Sequence, residues 1–200
     1  MGLGALGAAV MLLAGCAGQP AAPAAAAPAS PAPAAAPAAP SSTASATSAK
    51  EFYVVLPESG RIYAFGDTRN YMDFLSHGEV QLTRTRIGEG PQGRTLVFGI
   101  TSDDVKNNKP SLGELVMSGQ LEAAPDFYGE VFKNGRFYLF GELKDMKDFI
   151  AYGEVPYSYT DIGAGPKGET IVYVMNSQSY KQGKPANRTE RFKALRASNG

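Results

Sequence analysis

The sequence contains one cysteine and one histidine, and no charged residue before Lys50. With Cys16 alone, no disulfide can form within the chain. His77 has no second histidine and no neighbouring thiol, which excludes a His/Cys metal site and a Cys–His nucleophilic pair. The one long apolar run, residues 2–15, falls short of the roughly 20 residues that a permanent membrane-crossing helix needs. Lys and Arg number 19 and are balanced by 19 Asp and Glu, so the broad basic excess of a nucleic-acid binder is missing. No nucleic-acid partner, metal or cofactor is expected.

What the first fifty residues do contain is specific. An apolar stretch of this length ending in small residues has the make-up of a secretory signal core. It closes on Leu13-Ala14-Gly15-Cys16. This resembles the lipobox of bacterial lipoproteins, which implies that residues 1–15 are removed and that Cys16 is acylated. The resemblance further implies an envelope location, most simply the outer membrane, with membrane lipid as the first partner. The alternative is a plain signal peptide cleaved at an Ala-x-Ala-like site, with Cys16 incidental. Only the α-amino group precedes the apolar run, so the usual basic segment is expected upstream of Met1. Residues 16–48 are almost wholly Ala, Pro, Ser and Thr. Such a segment has nothing to bury and should act as a semi-rigid tether reaching up to roughly 100 Å at about 3.1 Å per residue.

The remainder repeats itself. A shift of 75 residues aligns residues 51–110 with 126–185 without a gap, and 24 of the 60 positions are identical. DFLSHGEV faces DFIAYGEV, and IGEGPQGRT faces IGAGPKGET. A period of this kind marks a supersecondary unit that needs a neighbour to cover its apolar face. Two units are expected, 49–124 and 125–200.

Each unit reads as ββαββα. Residues 52–56 and 61–65 are aromatic and β-branched runs around Pro57-Glu58-Ser59-Gly60, the pattern of a hairpin. Asp67 suits an N-cap; Tyr71, Phe74 and Leu75 follow at helical spacing, and Gly78 sits where the helix should stop. Met146, Phe149, Ile150 and Gly153 repeat that pattern. Longer strands are expected over 79–87 and 94–101. Ser111-x-x-Glu114 and Asn187-x-x-Glu190 each have the form of a capping box. The expected fold is α+β, one pseudo-twofold domain with antiparallel sheets. The segment Gly60-Arg-Ile-Tyr-Ala-Phe-Gly66 is similar to a kelch-blade strand, but the period and the helices argue against a propeller.

Several patterns invite a chemical reading. Gly88-x-Gly90-x-x-Gly93 matches the dinucleotide fingerprint in form, yet a strand follows it where the chemistry demands a helix, so a wide turn is expected. His77 is replaced by Tyr152 in the other unit and is expected to face solvent. Asp73/Asp148 and Glu79/Glu154 recur, and capping or turn hydrogen bonds would explain them. Arg61, Tyr63 and Phe65 alternate along one strand, as do Arg136, Tyr138 and Phe140. A guanidinium between aromatic rings can hold a carboxylate or stack on a sugar. Arg61, Tyr63, Arg136 and Tyr138 are therefore the candidate binding residues, beside the simpler reading of an arginine covering an inward aromatic face.

The units differ in charge. Arg84, Arg86 and Arg94 of the first correspond to Tyr159, Asp161 and Glu169 of the second. Either the two hairpins meet, with Arg86 and Arg94 against Asp161 and Glu169 as an inter-repeat contact, or they are two solvated faces that drifted apart. The expected function is a membrane-anchored envelope lipoprotein presenting a non-catalytic module to a protein or cell-wall polymer. The alternative is an Asp/Glu-dependent hydrolase or glycan-modifying enzyme, which would require Asp73 or Glu79 to converge with Arg61 in a concave pocket.

Overall fold

The computed structural model describes residues 48–197, so the signal segment, Cys16 and the Ala/Pro-rich tether up to residue 47 lie outside the described residues. The chain runs β1 (Ala49–Val55), β2 (Ile62–Phe65), α1 (Thr68–His77), β3 (Thr83–Arg86) and β4 (Leu96–Gly99), then α2 (Ser102–Lys106) and α3 (Leu112–Met117). It continues as β5 (Ala123–Lys133), β6 (Arg136–Phe140), α4 (Leu143–Tyr152), β7 (Tyr157–Asp161), β8 (Thr170–Met175), α5 (Ser177–Tyr180) and α6 (Ala186–Ala197). The fold is α+β.

Local chemistry explains most helix ends. The Asp67 side chain accepts the Asn70 amide at 3.0 Å, and α1 stops at Gly78, which takes φ 77° and donates its amide to the Phe74 carbonyl. Ser111 and Glu114 form the expected reciprocal box at α3. The box expected at Asn187 and Glu190 does not form. Helix α6 already begins at Ala186, just after Pro185, and the Asn187 side chain accepts the adjacent Arg188 amide instead. The short helices α2 and α5 were not expected; reciprocal boxes at Thr101/Asp104 and Asn176/Ser179 start them.

The strands form one mixed sheet in the order β3-β4-β2-β1-β5-β6-β8-β7. The expectation of antiparallel sheets is therefore corrected. Pairs β1–β2, β3–β4, β5–β6 and β7–β8 are antiparallel, but β1–β5, β2–β4 and β6–β8 are parallel. A parallel neighbour needs a crossover, and α1 followed by β3 supplies it between β2 and β4. The order reads alike from either edge, as a half-turn about an axis lying in the sheet between β1 and β5 would produce.

That arrangement also exchanges faces. Ile62 and Leu96 lie in the layer covered by α3 and α4, whereas Phe137 and Ile171, 75 positions on, lie under α1 and α6. In β1 and β5 the 75-residue partners Phe52 and Phe127 face the same way. The second hairpin explains the exception. It closes on Asn134-Gly135 with φ 50° and 69°, a two-residue turn, and pairs Gly129 with Phe140; the first uses the Pro57–Gly60 turn and pairs Tyr53 with Phe65. The register therefore slips by one residue between the halves, and a slip of one reverses every side chain in the strand.

Candidate binding site

Helix α1 and the edge of the sheet together form a cleft. Its floor is Tyr63 on β2 and Val97 on β4, with the Phe74 ring of α1 packed at a tilt against Tyr63 at a centroid distance of 4.5 Å. Thr83 and Thr85 on β3 and Thr95 before β4 add hydroxyls, and Arg61 and Glu79 stand at the rim of a space of about 420 Å³. β2 and β4 present these residues because alternate side chains of a strand share a face. The Arg61 guanidinium and the Glu79 carboxylate are both exposed, and neither has a hydrogen-bond or ion-pair partner among the described residues. A second depression, lined by Asp73, His77, Glu79, Val80 and Gln81, adjoins the C-terminal end of α1. The Asp73 side chain is also exposed and unpartnered, so neither acidic residue serves the capping role expected of it. His77 is exposed, its Nδ1 3.1 Å from the Asp73 carbonyl.

The sequence pairs Arg136 and Tyr138 with this strand, but the face exchange separates them from the cleft. Tyr63 packs in the α1/α6 layer, while Tyr138 packs in the α3/α4 layer, 4.4 Å from the Phe149 ring. The four candidate binding residues thus form no single site.

The inter-repeat contact expected of Arg86 and Arg94 with Asp161 and Glu169 is not made. β3 and β7 are the opposite edges of the sheet. Arg84 and Arg86 pair within their own half with Glu114, at 2.6 and 3.2 Å. Asp161 is bound by Lys184 and by the Tyr173 hydroxyl, and Glu169 accepts the Lys167 amide at 2.7 Å. Arg94 does cross between halves, though to a different target. Its guanidinium donates to the Ile150 carbonyl, and Gln92 donates to the Ala151 carbonyl at 2.9 Å, both on the last turn of α4.

The most concentrated polar cluster escaped sequence reasoning. Glu130 on β5 is fully buried; it accepts from the Tyr71 hydroxyl at 2.6 Å and the Tyr128 hydroxyl at 2.7 Å, and is ion-paired with Arg196 of α6. The Arg196 guanidinium also lies over the Phe192 and Phe137 rings, 3.4 and 4.4 Å from their centroids. Burial, reinforced by Glu130, pushes both tyrosine hydroxyls well above the ordinary phenol range, so they remain proton donors. Burial would lower Arg196, but the charge and hydrogen bond of Glu130, with Tyr71 and Tyr128 adding to them, together outweigh it and hold the guanidinium charged. A smaller cluster beside it joins Tyr53, Glu51, Thr68 and Arg191. These bonds close on one another and tie α1 and α6 to the central strands. The only advance signal was a Glu set between the aromatic and apolar residues Phe127-Tyr128 and Val131-Phe132.

Comparison of the chain with protein-family models, with curated proteins and with solved structures returned no match. Among the described residues no helix is long and apolar enough to cross a membrane, and no group of three or more His, Cys, Asp or Glu residues is placed to hold a metal ion.

Proposed function

We propose that the chain is a bacterial envelope lipoprotein, held at the outer membrane through acylated Cys16, whose domain binds a protein or cell-wall polymer at the Arg61 cleft. Residues 49–124 and 125–200 are, on this reading, copies of one ancestral unit, and the Arg61 cleft belongs to the first. The observation that carries the reading is the pairing state of the cleft. Most other arginines of the domain are committed internally: Arg84, Arg86, Arg94, Arg188, Arg191 and Arg196 all have protein partners. Arg61 has none and stands beside an aromatic floor and free threonine hydroxyls. A guanidinium left free in such a setting is available to a carboxylate or a sugar face.

The test has two arms. Cys16→Ser should move the protein from the membrane fraction to the soluble fraction; retention in membranes would refute the lipid anchor. Crosslinking in intact envelopes should capture a partner that Arg61→Ala and Tyr63→Ala both lose. Recovery of the same products from wild type and both variants would refute the cleft as the binding surface.

One observation favours a second reading. Arg61 and Glu79 share the cleft, which is the convergence a glycan-modifying hydrolase would need. Acid–base work needs carboxylates in environments that separate their proton affinities, and Asp73 and Glu79 are both solvent-exposed. Incubation of purified cell-wall material with wild type and Glu79→Gln decides between the readings, since only an enzyme would release soluble fragments in a Glu79-dependent way.

A further inference from the structure

Three charged side chains are buried among the described residues: Glu114, Glu130 and Arg188. Glu114 is ion-paired with Arg84 and Arg86, and Glu130 with Arg196. Arg188, only 8% exposed, has no ion-pair partner among the described residues. Its Nη1 donates to the Leu139 and Val174 carbonyls at 3.1 and 2.6 Å, and neither Nε nor Nη2 has a partner there. Burial pushes the guanidinium below its ordinary range, and the charges of Asp145 and Glu142, acting through space, offset that only in part. A buried charge is costly without a counter-ion, and folded chains ordinarily supply one.

Arg188 lines a cavity of about 370 Å³ at the start of α6. Its Nε and Nη2 stay open to that space, because Arg191 Nε is the one sealed side-chain nitrogen or oxygen without a partner among the described residues. Ala186 and Asn187 line the same cavity, and their amides have no acceptor among the described residues. Free amides and the positive end of the helix dipole both favour an anion at this end.

The first half shows how the corresponding place is closed. Helix α3 starts at Ser111, which completes a capping box with the Glu114 carboxylate, and a Cβ on Gly66 would lie only 2.7 Å from the Gly113 nitrogen. The helix there rests directly on the end of β2. Counted 75 positions on, Ser111, Gly113 and Glu114 become Ala186, Arg188 and Thr189. Thr189 bonds the Tyr173 hydroxyl and the Pro185 carbonyl, so it caps nothing. The Arg188 guanidinium lies against Gly141, the counterpart of Gly66, where a Cβ would stand 3.0 Å from Nη2. The second half has thus lost the internal carboxylate and gained a guanidinium in its place.

We infer that this cavity is a binding site for the carboxylate of a small organic acid, held by Nε and Nη2 of Arg188 and the first amides of α6. The two parallel N–H groups on that edge of a guanidinium match the two oxygens of a carboxylate. Asp126, exposed and unpartnered among the described residues, lines the same cavity and disfavours a dianion such as phosphate. Lys184 is taken by Asp161 and adds no second free cation. The space is of the size that small ligands occupy. The site lies on α6 and β5, away from β2 and β4 of the Arg61 cleft, and does not rest on the reading of that cleft.

The test titrates the full chain, isotopically labelled in detergent, with lactate; lactamide is the uncharged control and inorganic phosphate the dianion. Lactate should produce saturable shifts at the Arg188 Nε–H and at the amides of Ala186 and Asn187, and lactamide should not. Arg188→Lys keeps the charge and a donor for the two carbonyls but removes the fork, and should weaken binding at least severalfold. Two near-isosteric exchanges at exposed positions of the lining change charge alone and leave the fold intact. Gln182→Glu should weaken lactate severalfold, and Asp126→Asn should tighten it. Absence of saturable shifts, equal shifts with lactamide, or tighter binding of phosphate than of lactate would overturn the inference. So would an affinity indifferent to both Gln182→Glu and Asp126→Asn, or undiminished in a folded Arg188→Lys variant.

Discussion

Replacing Glu130 with alanine removes the acceptor for two buried hydroxyls and the counter-ion of Arg196 in a single step. Glu130 is fully buried, and the Arg196 side chain is only 12% exposed, so water cannot readily take over these bonds. Removing one partner of a buried pair typically costs about 3–5 kcal/mol, because the other charge is left uncompensated. The stranded Tyr71 and Tyr128 hydroxyls draw on the same loss and are not added to it. Against a total stability of about 5–15 kcal/mol, Glu130→Ala should leave the domain barely folded. With a urea slope of about 2 kcal/mol per molar, the midpoint should fall by about 2 M at unchanged slope. Glu130→Gln keeps an acceptor oxygen and should cost less. Arg196→Met alone should also destabilise strongly, and the double variant Glu130→Ala/Arg196→Met should cost less than the two single losses added together. A midpoint shift under about 0.5 M for Glu130→Ala, or strict additivity in the double variant, would refute the claim that this network locks α1 and α6 to the sheet.

The same network sets behaviour at high pH. Tyr71 and Tyr128 ionise well above the ordinary phenol value of about 10 in the folded state, so their contribution is intact below that pH and is lost as pH rises toward the folded values. Alkaline unfolding should therefore coincide with the appearance of tyrosinate absorbance, and Tyr128→Phe should make stability less steep in pH; an unchanged slope would count against the assignment. At the acid end, burial would raise the Glu114 carboxyl, but hydrogen bonds from Ser111 and Arg86 and the charge of Arg84 hold it below its usual value. Its contribution is present above the ordinary Glu value of about 4.3 and disappears as pH falls through the lower folded one. Glu114→Gln should flatten the acid limb of a stability–pH curve while also lowering stability at neutral pH. Gly99→Ala is expected to cost about 1–3 kcal/mol in urea melts, since a Cβ there would lie 2.5 Å from the fully buried Phe65 ring. A neutral effect would mean that the ring yields more readily than its packing implies.

The sequence by itself determined the features that depend on a few neighbouring residues. Asp67 and Gly78 bound α1, and Ser111 with Glu114 starts α3, because caps satisfy backbone groups within one turn. The internal period located both hairpins and the helices α1 and α4, since the same alternation recurs 75 residues on. It was equally able to single out Arg61 and Tyr63, which do line the cleft. Tertiary structure decided the rest. The antiparallel sheets read from the hairpins gave way to one mixed sheet, because which strands become neighbours depends on the path of α1 across a face. The separation of Tyr63 from Tyr138 came from the exchange of faces across the β1–β5 seam, which similar local sequence conceals. Asn134-Gly135 shifted one hairpin by a single residue and thereby turned Glu130 inward, where Arg196, 66 positions away, meets it. Whether a charge is a partner or a free group is a matter of distance in space. Only the folded chain, therefore, distinguishes the committed Arg94 from the available Arg61.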